Sequence, residues 1–274
     1  MVPVRRRGGP YLRSRTPPPD ARGLNLPHDP AFFIVASIAV ILVGIAKGGF
    51  AGLGAASMPI LVLVMDPVPA AAMLLPILIV QDVVGVWAFR RSFDMPTLKL
   101  MVPGAIVGVF LGWLLATIVP VDAVRALVGA IAVIFGGYRL AGAYGVSPTI
   151  KGTLPNWVGV FWGGVSGFTS QVAHAGGPPF QIWALGRNFP PNVFIGTSAI
   201  FFAAMNWMKV PAYFALGQFT TANLQLTLVF MPVAIASTFA GVWLVRRLSP
   251  ARFATIISLL MVVVGLELLR QAFT

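Results

Sequence analysis

Four ionisable side chains stand inside otherwise apolar stretches. Lys47 closes the run Val43-Gly44-Ile45-Ala46, Asp82 follows Gln81 midway through the run 68–89, His174 sits in a glycine-rich segment, and Lys209 lies three residues after Asn206. Such groups at membrane depth face the interior of a bundle and mark pathways for substrates or ions. An ammonium in hydrocarbon costs about 2.5–3.5 kcal/mol, so Lys47 needs a counter-charge. Asp82 in a buried pair is one candidate, and an anionic ligand is the other. Asp82 is the candidate for carrying a coupling proton, with Gln81 beside it. His174 titrates near neutral pH when unperturbed, so it reads either as a proton carrier or as a neutral group fixing its loop. Ser170, Gln171 and Asn206 are neutral donors suited to an oxyanion, or equally to interhelical hydrogen bonds.

Two of these residues lie in backbone breaks. The first break runs Gly44-Ile45-Ala46-Lys47-Gly48-Gly49-Phe50-Ala51-Gly52-Leu53-Gly54, and the second runs from Gly167 through Ser170, Gln171, His174, Gly176 and Gly177 to Pro178-Pro179. Irregular backbone at membrane depth is tolerated only where protein buries it or where it lines a cavity. Paired breaks in corresponding halves point to a transporter's binding site. Gly48, Gly49, Gly176 and Gly177 lack a Cβ, so backbone N–H groups there can approach an anion. Close helix packing is the other use of glycine in membranes.

The composition sets the class. Of 274 residues 58% are hydrophobic and 9% charged, against about 25% charged in a soluble domain. This predicts an all-α, polytopic integral membrane protein whose solvent is the lipid bilayer. The formal net charge of +12 does not read as nucleic-acid binding, because the basic residues sit before the first span or flank spans. With no cysteine and one histidine outside the tail, neither a disulfide nor a metal site is expected, and no Walker A loop is present. No cofactor is implied. No Ser/His/Asp set or catalytic carboxylate pair argues for an enzyme.

Candidate segments are 31–65 (broken), 68–89, 99–119, 122–141, 156–185 (broken), 191–216, 223–245 and 253–272. A shift of 123 residues puts Gly44 on Gly167 and Gly54 on Gly177, while a shift of 129 puts Pro103 on Pro232, Phe110 on Phe239 and Gly136 on Gly265. The ordering predicts two four-segment repeats with broken first helices, at 31–145 and 156–272, after a disordered basic tail at 1–30. The arginines of the tail predict a cytoplasmic N-terminus, and Arg90, Arg91 and Lys99 predict a cytoplasmic loop. Simple alternation then leaves Arg246, Arg247 and Arg252 outside. A second broken segment that dips in and returns would repair this and make the repeats inverted.

The second break resembles the second-repeat motif of the sulfite exporter TauE/SafE family. So does Gly196-Thr197-Ser198-Ala199-Ile200-Phe201-Phe202 with Asn206, Lys209-Val210-Pro211 and Tyr213, and residues 44–59 resemble the first-repeat motif. The resemblance spans about 31–272 and implies a bacterial inner-membrane permease for sulfite, sulfoacetate or other small sulfur-containing anions. Lys47 in one break and His174 in the other make the half-sites chemically unequal. The expectation is alternating access at a midplane site, with Lys47 and Lys209 supplying charge. A channel using the same breaks as a filter is the alternative. Proton coupling through Asp82 or His174 is expected if coupling exists; the oligomeric state is not readable.

Overall fold

A computed structural model of the chain describes residues 29–50, 52–116, 118–143, 155–245, 247 and 250–274. The expectations for the basic tail and Arg246 lie outside these residues. Ten α-helices and one 3₁₀ turn are present, with no strand among the described residues. In order they are α1 (Pro30–Lys47), the turn (Leu53–Ala56), α2 (Ser57–Val62), α3 (Pro67–Phe89), α4 (Met95–Ala116) and α5 (Val121–Ala143). Then come α6 (Asn156–Ala173), α7 (Gly177–Leu185), α8 (Pro191–Ala215), α9 (Thr221–Leu244) and α10 (Pro250–Phe273). Seven of the helices are long and apolar enough to cross a membrane, and α6 matches α1 in length with a more polar sequence.

Local chemistry sets the boundaries. Asp29 caps α1 by accepting from the Ala31 N–H at 2.9 Å, with Pro30 at the first helical position. Asp94 accepts from Thr97 N–H at 2.8 Å at the start of α4, while its own N–H donates to Thr197 Oγ1 of α8 at 2.8 Å. The first break turns through Gly49 at φ 131° and Gly52 at φ 94°, conformations that need glycine. In the second, His174 ends α6 at φ 50°, with Ala175 N–H bonded to Thr169 O and His174 N–H to Ser170 O. That is a left-handed C-terminal cap, the His174 N–H closing on Ser170 O, with a side chain where glycine is usual.

Each broken segment is a helical hairpin. In the second, Gly176 abuts Ser166 and Ser170, Trp183 lies over Gly159, and Ser166 Oγ donates to Gly176 O at 2.7 Å. Gly54 likewise lies back against Ala46 and Val43 of α1. The chain therefore has one architecture twice over: a hairpin, then three long helices.

The neighbours of these helices fix their directions. Met73 and Gln81 of α3 bond to Thr227 and Ala234 of α9, so α3 runs parallel to α9. Gly44 meets Ser237 and Gly48 meets Val242, so α1 is parallel to both. By the same reasoning α4 is parallel to α6, from Gly104 at Val160 to Gly112 at Gln171. Helices α3 and α8 are antiparallel, from Asp82 at Asn206 to Ser92 at Gly196. So are α5 and α10, from Gly129 at Leu269 to Gly136 at Ser258.

Because α1 and α3 point the same way, Asp29 and Arg90 lie at opposite ends of the bundle. The expectation that the N-terminal tail and the Arg90–Lys99 loop share a side assumed one crossing before Pro67; the hairpin adds a return. Among the described residues, the Arg90 end carries Arg90, Arg91, Lys99, Arg187 and Arg247 against Asp94. The Asp29 end carries Asp29, Asp66, Asp122 and Glu267 against Arg125 and Arg270.

Helices α4 and α6 meet through glycines on both sides, Gly104, Gly108 and Gly112 of α4 and Gly163, Gly164 and Gly167 of α6. A Cβ on Gly108 would strike the Gly164 carbonyl, and one on Gly163 the Met101 carbonyl. The backbones touch, as small residues allow in membranes where lipid tails compete with any larger side chain. Gly137 of α5 has nothing near its missing Cβ. Gly108→Leu should therefore destabilise by about 1–3 kcal/mol or more through overpacking. Gly137→Ala should be neutral or stabilising by up to about 1 kcal/mol. Thermal unfolding in detergent checks both, and equal midpoints for the two variants would refute the packing assignment.

Candidate functional site

The antiparallel crossing of α3 and α8 builds the centre of the site. Asn206 Nδ2 donates to Asp82 Oδ2 at 2.6 Å. The other carboxylate oxygen, Oδ1, takes the Lys47 ammonium from the end of α1. One carboxylate thus joins three helices, with Asp82 at 3% side-chain exposure and Lys47 at 13%. The Lys47 ammonium also lies 5.4 Å from the centre of the Phe202 ring, a cation–π contact that adds to its stabilisation away from water.

A second cluster lies towards the Asp29 end. Lys209 is fully buried and donates to Ser170 Oγ at 3.2 Å and Ser170 O at 3.3 Å, with His174 Nδ1 at 2.7 Å. His174 Nε2 lies 2.8 Å from the Ala71 carbonyl. A carbonyl only accepts, so Nε2 carries the hydrogen and Nδ1 accepts from Lys209. A neutral imidazole satisfies both contacts, whereas an imidazolium would point Nδ1–H at an ammonium. These contacts are those of a group that fixes its loop. Tyr213 closes the cluster, donating to Gln171 O at 3.1 Å.

Between the clusters lies a cavity of about 110 Å³. Its wall includes Lys47, Gly49 and Gly52 from the first break, Ser170, His174, Gly176 and Gly177 from the second, and Asn206 from α8. Lys47 stands on the wall of a space that holds a few waters or a small polyatomic ion, with Asp82 and Lys209 behind that wall.

Not every expected residue reaches this wall. Gly48 packs on α9, where a Cβ would strike the backbone of Gly241 and Val242, so it serves helix contact and not the cavity. Gln171 is buried against Gly112 of α4. Gln81 donates to Ala234 O at 3.3 Å and ties α3 to α9. Lys209 and Asp82 stand one layer behind, holding Ser170, His174, Lys47 and Asn206. Gln181, Ser198 and Phe202 also form the wall and were not among the expected site residues, although Ser198 and Phe202 stand in the motif that carries the family resemblance. Ser198, Phe202 and Asn206 recur every fourth residue on one face of α8, which is the signal that could have found them.

The Lys47–Asp82 pair has a measurable structural share. Removing one partner of a buried pair costs about 3–5 kcal/mol, while replacing both with apolar groups is often near neutral. Asp82→Ala should lower thermal stability sharply, and the double variant Lys47→Met, Asp82→Leu should regain most of the loss. Unfolding of purified protein in detergent measures it. An Asp82→Ala variant as stable as the parent would show that the pair does not hold the helices.

The family model described as "Sulfite exporter TauE/SafE" matches residues 36–268, from the second turn of α1 to near the end of α10. Neither a curated protein nor a solved structure matches the chain. The matched span takes in both hairpins, the Lys47–Asp82–Asn206 centre and the Lys209–His174 cluster. The chain belongs to the sulfite exporter TauE/SafE family, multi-pass membrane transporters of sulfite or related anions.

Proposed function

We propose that this protein carries sulfite or a small organosulfonate across a bacterial inner membrane by alternating access, with the anion held in the cavity against Lys47 and Asn206. The observation that carries the reading is the Lys47 side chain on the wall of a cavity bounded by both backbone breaks, beside Asn206. Gly49, Gly176 and Gly177 let backbone approach the anion, and Ser170 and His174 complete the wall from the second break. Lys209 acts from behind, as a charge and as the anchor of Ser170 and His174.

Two inverted repeats, at 31–145 and 156–272, supply the motion. The antiparallel pairs α3/α8 and α5/α10 join equivalent helices, and the parallel pairs α1/α9 and α4/α6 exchange partners. An axis in the membrane plane generates this arrangement. Asp82 supplies the coupling. In the empty site it holds the Lys47 ammonium, so an arriving anion competes with it. A proton on Asp82 releases Lys47 to the anion, and the two bind together. The Arg90 end faces the cytoplasm, because that end gathers the loop Lys and Arg residues. This orientation places Asp29 on the outer face, in spite of the arginines before it.

Flux of labelled sulfite into proteoliposomes tests the mechanism. The parent should accumulate anion down an imposed proton gradient and show counterflow, which a channel does not. Asp82→Asn should keep flux but ignore the gradient, and Lys47→Met should lose at least about tenfold in flux, as expected when a charged contact is removed. Gradient-driven accumulation by Asp82→Asn would remove Asp82 from coupling. Absence of counterflow in the parent would favour the channel.

Orientation is checked with single cysteines, since the chain has none. In intact cells Thr274→Cys, at the Asp29 end, should react with an impermeant thiol reagent, and Ser92→Cys should not. The reverse pattern would overturn the orientation.

A further inference from the structure

We infer that the Lys209–His174 cluster is the gate that shuts the cavity off from the Asp29 end, and that its release is matched by closure at Ile195; this rests on the alternating-access reading above. The cavity is one-sided along α8. Phe194, Ile195, Ser198, Phe202 and Asn206 line it from one turn inside Pro191, at the Arg90 end, to the crossing with Asp82. Among the described residues of α8, none beyond Asn206 is on the wall. Phe194, Ile195, Ser198 and Phe202 are half-buried, whereas Lys209 and Tyr213, one and two turns further on, are 0% and 2% exposed. The way in is from the Arg90 end. The second hairpin makes the seal on the other side. It enters from the Arg90 end, and its tip residue His174 reaches the Ala71 carbonyl, one turn inside the Asp29 end of α3. Lys209 holds the other ring nitrogen from α8. A side chain at φ 50° is disfavoured, and such residues persist where their surroundings fix them, often at switch points. Here the two ring contacts fix it.

The Arg90 side lacks such a seal, and the two halves of the chain show why. A shift of 124 residues puts Pro67 on Pro191, Ala71 on Ile195, Asp82 on Asn206 and Gly85 on Lys209. Asp82 and Asn206, which touch across the centre, are thus equivalent positions. Equivalent closure at the Arg90 end would bring the tip of the first hairpin to the Ile195 carbonyl. That tip is Gly48-Gly49, with no side chain to reach it, and Gly85 has no ammonium to hold it. Ile195 lines the open cavity instead. With a polar latch on one side only, the empty protein rests open to the Arg90 end. To release an anion at the Asp29 end, the second tip must leave Ala71 and Lys209 must let go of His174. An anion beside Ser170 and His174 offers Lys209 an acceptor in their place, which ties loading of the site to opening of the gate.

Single cysteines read the two sides, since the chain has none. In the purified full chain Ile195→Cys should react with N-ethylmaleimide, and Ala71→Cys should resist it, Ala71 being 3% exposed. Lys209→Met and His174→Ala should each speed labelling of Ala71→Cys and slow labelling of Ile195→Cys by roughly tenfold, the population shift expected when one state loses a charged hydrogen bond. Opposite changes at the two positions are the mark of a gate, because loosened packing would speed both. Faster labelling at both positions, or no change at either, in both variants would overturn the gate. Counterflow of labelled sulfite by the parent would in that case leave the transporter standing. Absence of counterflow in the parent would overturn alternating access itself, and this inference with it.

Discussion

Backbone polar groups cannot be left facing hydrocarbon, and this chain breaks its helices twice at membrane depth. Everything around the two breaks answers that constraint. Each break is folded into a hairpin, each hairpin is sheathed by helices from the other half of the chain, and glycines of both breaks line a cavity. The sheathing is tight because it is made of glycine. The glycines of α4 and α6 let backbones touch, and Gly48 against Gly241 does the same for α1 and α9. A cavity thus emerges where packing has to stop, lined by the turn residues Gly49, Gly176 and Gly177.

Charge is arranged by the same logic. A buried ammonium requires an anion, and at the centre Asp82 meets that need for Lys47 while Asn206 takes the other carboxylate oxygen. Lys209 has no carboxylate of its own and spends its donors on Ser170 and His174. In the proposed function, Lys47 on the cavity wall is the reason that an anion suits the site better than a neutral solute. Asp82 then has two tasks in tension. It stabilises the empty site, and it must yield Lys47 to substrate. A group with both tasks is a natural point for coupling, because its charge decides which partner Lys47 keeps.

Much of this was legible from residue types. The helical membrane class follows from composition, and the breaks follow from glycine clusters that an uninterrupted span would not tolerate. The Lys47–Asp82 pairing follows from there being one acid near one lysine at depth. Direction was not legible. A hydrophobic run has no sign, so the hairpin at 53–62 read as part of one crossing, and that single extra return puts Asp29 and Arg90 at opposite ends. Nor could glycine roles be told apart: Gly48 and Gly49 are neighbours, yet one packs on α9 and the other lines the cavity. Phe202 and Gln181 were not expected at the site because an aromatic ring and a neutral amide in apolar helices look like core until the neighbouring cation is in place.

Locating the anion tests the central claim directly. Selenite is a heavy analogue of sulfite whose selenium can be found by anomalous scattering in crystals of the protein. A selenium peak within hydrogen-bond reach of Lys47 Nζ and Asn206, between the two breaks, is the expected result, and it should vanish in Lys47→Met. A peak lodged elsewhere, such as the apolar groove between α4 and α8, or one that persists in Lys47→Met, would contradict it.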